Sequence, residues 1–123
     1  MANILIVDDS KTSRRLLKGI LEEAGHVIVG EAVNGEDGFL KYKELQPDVV
    51  TMDITMPKMD GIEALELIIH ENPSAAVVMI TAAGQKNKMV EAIKAGAKEF
   101  ITKPFDDEVI VRIINEVAAH SSK

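Results

Sequence analysis

The 123-residue chain contains no cysteine and no tryptophan, and aromatic residues make up only 3% of it. Without cysteine there is no disulfide, no cysteine-ligated zinc, no thiol nucleophile and no thiol redox chemistry. The shortage of aromatics leaves few platforms on which single-stranded bases could stack. No apolar run approaches the roughly 20 residues that a membrane-spanning helix needs. The first residues, Met1-Ala2-Asn3-Ile4, offer neither a basic stretch nor a long apolar one. No signal peptide and no membrane partner are therefore expected, and the expected location is the cytoplasm.

Positive charge is in deficit as well. Twenty acidic residues against 14 basic ones leave a net charge of −6, which repels phosphate backbones over most of the surface, so no nucleic-acid partner is expected. What is present in quantity is apolar: 46% of the residues. At about 100–200 residues per domain this is one domain, long enough to bury roughly two-thirds of its unfolded surface.

Short apolar, β-branched runs alternate with stretches of helical periodicity. The runs are Ile4–Val7, Val27–Val29, Val49–Met52, Val77–Ile80 and Phe100–Thr102. Residues that are apolar at consecutive positions, not alternating ones, predict parallel strands covered on both faces. Between them lie five helices. The first has a face of Leu16, Leu17, Ile20, Leu21 and Ala24 and stops at Gly25, a suitable left-handed C-cap. The second runs from about Glu36 to Leu45, after Asn34-Gly35. The third is capped by Asp60 with Glu63 three positions on, and ends at Asn72-Pro73. The fourth holds Met89, Val90 and Ile93 and stops at Gly96. The fifth opens on Asp106-Asp107-Glu108, acids that suit a helix N-terminus, and is expected to bury Val109, Ile110, Ile113 and Val117.

Five such βα units predict an open, doubly wound α/β sheet with right-handed crossovers. The strands at Ile4, Val49 and Val77 are the most apolar and belong in the centre; those at Val27 and Phe100 suit the edges. That gives the flavodoxin-like order 2-1-3-4-5, whose ligand site lies beyond the carboxyl ends of the strands. There the first strand ends in Asp8-Asp9, the third in Asp53, the fourth in Thr81 and the fifth in Lys103-Pro104. The strand at Val27 contributes nothing comparable.

Three carboxylates so close repel: a like-charged pair at ~4 Å costs roughly 4 kcal/mol at an effective dielectric near 20. A divalent cation and an ammonium are the two remedies, and oxygen-only ligands suit Mg²⁺. Lys103 supplies the ammonium. A carboxylate beside Mg²⁺, an ammonium and a hydroxyl is an arrangement for phosphoryl transfer, with Asp53 as the nucleophile and Asp8 and Asp9 holding the metal.

At these residues the sequence resembles a known family. Ile4–Ser10 (ILIVDDS), Met52–Gly61 (MDITMPKMDG), Ile80–Ala83 (ITAA) and Ala95–Phe105 (AGAKEFITKPF) look like the motif set of response-regulator receiver domains. Within that family the likeness is to single-domain chemotaxis regulators of the CheY type. It extends from residue 3 to about 118. The resemblance implies that Asp53 accepts a phosphoryl group from the phosphohistidine of a histidine kinase. It implies that Asp9, Asp53 and the backbone carbonyl of Thr55 ligate Mg²⁺ directly, with Asp8 acting through water. Lys103 would bond a phosphoryl oxygen, and Thr81 would move toward the phosphoryl group and vacate space for Phe100. The family usually has a cis peptide before the proline at Pro104, aiming Lys103 at the site.

The resemblance further implies a signalling protein and not an enzyme in the ordinary sense, acting as a monomer without an output domain. Its output would come from docking the fourth helix, fifth strand and fifth helix on a flagellar motor switch component or another output protein, with a phosphatase as a possible further partner. A phosphorelay intermediate and a receiver from a longer regulator are variants of this reading; Lys98 stands where DNA-binding regulators commonly have an acid. Phe100 replaces the tyrosine of many chemotaxis regulators, so burial alone would set its two positions. Thr55 and Ala83 occupy the positions that tune phosphoryl lifetime in the family. A haloacid-dehalogenase-like phosphatase would put its nucleophile on the first strand with a second Asp two residues on, where this chain has Asp53 on the third strand and then Thr55. A flavodoxin would need a Ser/Thr/Gly-rich loop where Asp8-Asp9 stand.

Two groups of residues carry blander expectations. His26, His70 and His120 fall at a strand start, a helix end and the tail, and are expected to face solvent. Met52, Met79 and Met89 are expected to fill gaps in the core, whereas Met56 and Met59, on the loop after Asp53, are expected to be exposed.

Overall fold

The computed structural model describes residues 1–82 and 84–121. Ala83 and the side chain of His120 lie outside the described residues. Strands and helices alternate throughout: β1 (Asn3–Val7), α1 (Lys11–Glu23), β2 (Val27–Ala32), α2 (Gly35–Leu45), β3 (Val49–Asp53), α3 (Gly61–Glu71), β4 (Val77–Thr81), α4 (Lys86–Lys94), β5 (Glu99–Thr102) and α5 (Asp107–Ser121). All pairings are parallel and the strand order is β2-β1-β3-β4-β5. The three most apolar strands do occupy the centre.

Because successive strand residues point to opposite faces, one apolar run feeds two cores. Leu5, Val7, Val50, Met52, Val77 and Met79 pack on one side with Tyr42 of α2, Leu65 and Ile68 of α3, and Ala92 of α4. Ile4, Ile6, Val49, Val78 and Ile80 pack on the other with Leu17 and Leu21 of α1 and Ile110 and Ile114 of α5. Truncating any one of these large side chains to alanine costs about 2–5 kcal/mol, so the sheet is a stiff platform for the residues at its carboxyl ends.

Local chemistry sets the helix starts. Ser10 caps α1 by accepting the Ser13 N–H at 3.2 Å, and Asn34 caps α2 by accepting the Asp37 N–H at 2.8 Å. The expected capping box at α3 is formed: Glu63 N–H donates to Asp60 at 2.9 Å, and Asp60 N–H to Glu63 at 3.2 Å. The α4 start is different, since Gln85 makes no side-chain cap bond and spends its amide elsewhere.

Several expectations fail in detail. Strand β2 continues past Val29 to Ala32. As an edge strand it needs one ladder only, so Gly30 and Glu31 are tolerated, and an irregularity opposite Ile4/Leu5 absorbs Val29. Leu16 is 53% exposed and Val109 36%; the buried stripes are Leu17/Leu21 and Ile110/Ile114, and each misplaced residue lies one position off its stripe. His70 is exposed as expected, but His26 is buried. Its Nδ1 accepts the Ala2 N–H at 3.1 Å, and its Nε2 lies 2.8 Å from Asn115 Oδ1. The ring therefore ties the start of β1 to α5. Met56 is buried in the core beneath α3, and Met59 is partly covered. The loop turns tightly at Lys58, whose φ is 66°, with the Met59 N–H donating to Pro57 O at 2.7 Å.

Candidate phosphoryl-transfer site

The carboxyl ends of β1, β3 and β4 and the residue after β5 converge as the topology requires. Asp8, Asp9 and Asp53 each offer a carboxylate oxygen, and the three oxygens lie within 4.8 Å of one another. Asp8 is buried and Asp9 exposed. The Lys103 ammonium stands 3.3 Å from Asp8 Oδ2 and 3.8 Å from Asp53 Oδ2. The Lys103–Pro104 peptide bond is cis.

Backbone geometry places these groups. Asp8 follows the last residue of β1, and its N–H donates to Ala32 O at 3.0 Å, continuing the ladder to β2. Its Oδ1 accepts the Ser10 N–H at 2.8 Å. Asp53 Oδ1 accepts the Ile54 N–H at 2.9 Å. The chain then returns against its own strand end: Gly61 N–H donates to Ile54 O at 2.7 Å. A Cβ on Gly61 would sit 2.0 Å from Asp53 O, so only glycine permits this approach.

The like charges mark one carboxyl group. Asp53 is pushed up from the ordinary 3.8 to about 6, first by burial and next by the Asp8 charge, with Asp9 adding a little. The Lys103 ammonium and the Ile54 N–H pull the other way without cancelling it. The group remains ionised at neutral pH, at a cost that burial and the Asp8 charge impose.

Thr81 is fully buried, and its hydroxyl donates to Met89 Sδ at 3.4 Å. It thus engages α4 and not the carboxylates. Phe100 is partly buried against the core cluster that α4 covers. Thr55 is exposed, and its hydroxyl accepts from Gln85 Nε2 at 2.8 Å. Gln85 Oε1 also accepts the Ala82 N–H at 2.9 Å. One side chain thereby joins the loops after β3 and β4. Sequence reasoning missed Gln85 and also Arg14, whose Nη1 donates to Asp8 O at 2.7 Å and whose Nε meets Glu31 Oε1 at 3.0 Å. The available signal for Arg14 was its place in the second turn of a helix that starts beside Asp8-Asp9. The edge strand β2 does contribute to the site after all, through Glu31 and the Ala32 carbonyl.

The comparisons with known proteins agree with this geometry. The response regulator receiver domain family matches residues 4–115. The chain belongs to that family. It is 50% identical over 115 residues to chemotaxis protein CheY of Thermotoga maritima, covering 94% of this chain and 96% of the relative. It is 49% identical over 113 residues to CheY of Bacillus subtilis, covering 92% and 94%. Among solved structures it is similar to a CheX–CheY–BeF3–Mg²⁺ complex from Borrelia burgdorferi, with TM-score 0.89 and 40% identity over 94% of this chain and 87% of that one. Receiver domains are signalling proteins of two-component systems, and the relatives place this chain among homologues of the chemotaxis regulators. No helix among the described residues is long and apolar enough to cross a membrane.

Proposed function

We propose that this receiver is a phosphorylation-activated switch whose acceptor is Asp53. One observation carries the reading: three carboxylate oxygens within 4.8 Å, faced among the described residues by a single ammonium. Such a group fits a divalent cation, because one lysine cannot neutralise three acids and the donors are all oxygen. Asp8, Asp9, Asp53 and the Thr55 carbonyl would hold Mg²⁺. When bound, it would offset charge on the transferred oxygens. A CheY relative solved with BeF3 and Mg²⁺ supports the assignment.

In the transfer, an Asp53 oxygen attacks the phosphorus of a histidine kinase phosphohistidine. The P–O bond forms as the N–P bond breaks, and the imidazole leaves with a proton from solvent. Lys103, already near Asp53, neutralises a phosphoryl oxygen. Thr81 leaves Met89 for the phosphoryl group, and Phe100 turns into the space released. Output follows from a changed α4/β5/α5 face, on which Val90 and Ile93 are exposed, docking on a flagellar motor switch protein. The near full-length match to chemotaxis relatives supports a chemotaxis role for this receiver.

Intact-protein mass after incubation with acetyl phosphate and Mg²⁺ tests this. One phosphoryl increment is expected on the wild type, none on Asp53→Asn and none in excess chelator. Labelling that survives either change refutes the assignment of acceptor or metal.

A further inference from the structure

Among the described residues Arg14 makes no ion pair with the three carboxylates, yet two of its guanidinium nitrogens are committed to their support. Its side chain is only 13% exposed. Nη1 donates to the Asp8 carbonyl at 2.7 Å, and Nε to Glu31 of β2 at 3.0 Å. Asp8 N–H is already held by Ala32 O of the same strand. The Asp8 backbone is therefore fixed at both its N–H and its C=O, by groups that β2 anchors. That carbonyl belongs to the peptide joining Asp8 to Asp9, and its orientation sets where the Asp9 side chain begins. The Asp9 carboxylate is exposed and has no hydrogen bond or ion pair among the described residues. Its place within the 4.8 Å group rests on its backbone.

We propose that Arg14 is a positioning residue for the divalent cation: by clamping the Asp8–Asp9 peptide to β2, it presents both carboxylates to one ion. This rests on the receiver reading of the site. Charge alone predicts the opposite, since removing a cation near an acidic cluster strengthens its attraction for Mg²⁺. The sign of the effect therefore separates positioning from electrostatics. Groups that orient metal ligands typically contribute about 10–100-fold to affinity.

The test is a titration of ¹⁵N-labelled protein with MgCl₂, followed through amide chemical shifts, alongside urea unfolding without the metal. Arg14→Gln is expected to bind Mg²⁺ about tenfold more weakly than wild type. Arg14→Lys keeps the charge but cannot span two acceptors with a planar fork, and is expected to fall between the two. Equal or tighter Mg²⁺ binding by Arg14→Gln overturns the proposal. If that variant does not fold, wild-type affinity in Arg14→Lys overturns it equally. A wild type that shows no Mg²⁺-dependent shifts would instead bring down the receiver reading itself.

Discussion

Replacing Asp53 by asparagine should stabilise the metal-free protein, although it removes the proposed acceptor. The Asp53 carboxyl is raised from 3.8 to about 6, so the folded chain holds that proton more tightly than the unfolded one. Ionising it therefore costs more in the fold. Below about pH 4 the group is protonated in both states and the penalty vanishes. Between about pH 4 and 6 stability falls as pH rises, and above about 6 the full penalty is present. At 1.36 kcal/mol for each pH unit, the gap amounts to at most about 3 kcal/mol. Asparagine removes the charge beside Asp8 and can still accept the Ile54 N–H.

Urea unfolding followed by far-ultraviolet circular dichroism measures the difference, since no tryptophan is present to report by fluorescence. In chelator at pH 7.5, Asp53→Asn is expected to be more stable by about 2–3 kcal/mol. At pH 4 the two proteins should nearly coincide. Titrating groups remote from Asp53 are shared and drop out of the comparison. Mg²⁺ should then narrow the gap at neutral pH, because it binds the folded wild type through a carboxylate the variant lacks. A gap under about 0.5 kcal/mol at pH 7.5, or one that is the same at pH 4, would refute the argument that burial and Asp8 strain this carboxyl group.

Two further substitutions probe the frame. His26→Ala leaves the buried Ala2 N–H without its acceptor and Asn115 without its partner, and should cost about 2–3 kcal/mol in urea unfolding; a loss under about 0.5 kcal/mol would make the ring incidental. Thr51 is buried in β3 and its hydroxyl has no hydrogen-bond partner among the described residues. Thr51→Val keeps the shape and removes the stranded group, so it should raise stability by about 1 kcal/mol. A destabilised Thr51→Val would point to a water held at that hydroxyl.

The strand order and the grouping of carboxylates with a lysine were legible because both follow from consecutive apolar runs. A run such as Ile4-Leu5-Ile6-Val7 must be covered on both faces, which makes the strand central, and the residue just after it necessarily stands at the carboxyl edge. Asp8, Asp53 and Lys103 each occupy such a position, so topology gathers them, whereas Thr81 at the end of β4 turns to Met89 of α4. Helical rotation is less constrained. One residue along a helix turns the side chain by about 100°, enough to expose Leu16 and Val109 beside well-buried neighbours. His26 was misjudged for another reason: its partners lie at residues 2 and 115, and no local pattern links such distant positions.

The same distinction separates the clustered carboxylates and lysine from the groups that hold them. A side chain at a strand end is fixed by the ladder, and its chemistry is visible in its residue type. Arg14 and Gln85 sit in or beside helices, where an arginine or a glutamine ordinarily faces water, and only the three-dimensional path reveals that each spans two elements at the site. Gln85 ties the loop after β3 to the loop after β4, while Thr81 is engaged with Met89 of α4. Both contacts connect the carboxyl ends of β3 and β4 to the start of α4, a helix without a side-chain cap of its own. The α4 start thus lacks a side-chain cap and is held through the loops after β3 and β4, which is the property a helix needs if chemistry at Asp53 is to move it.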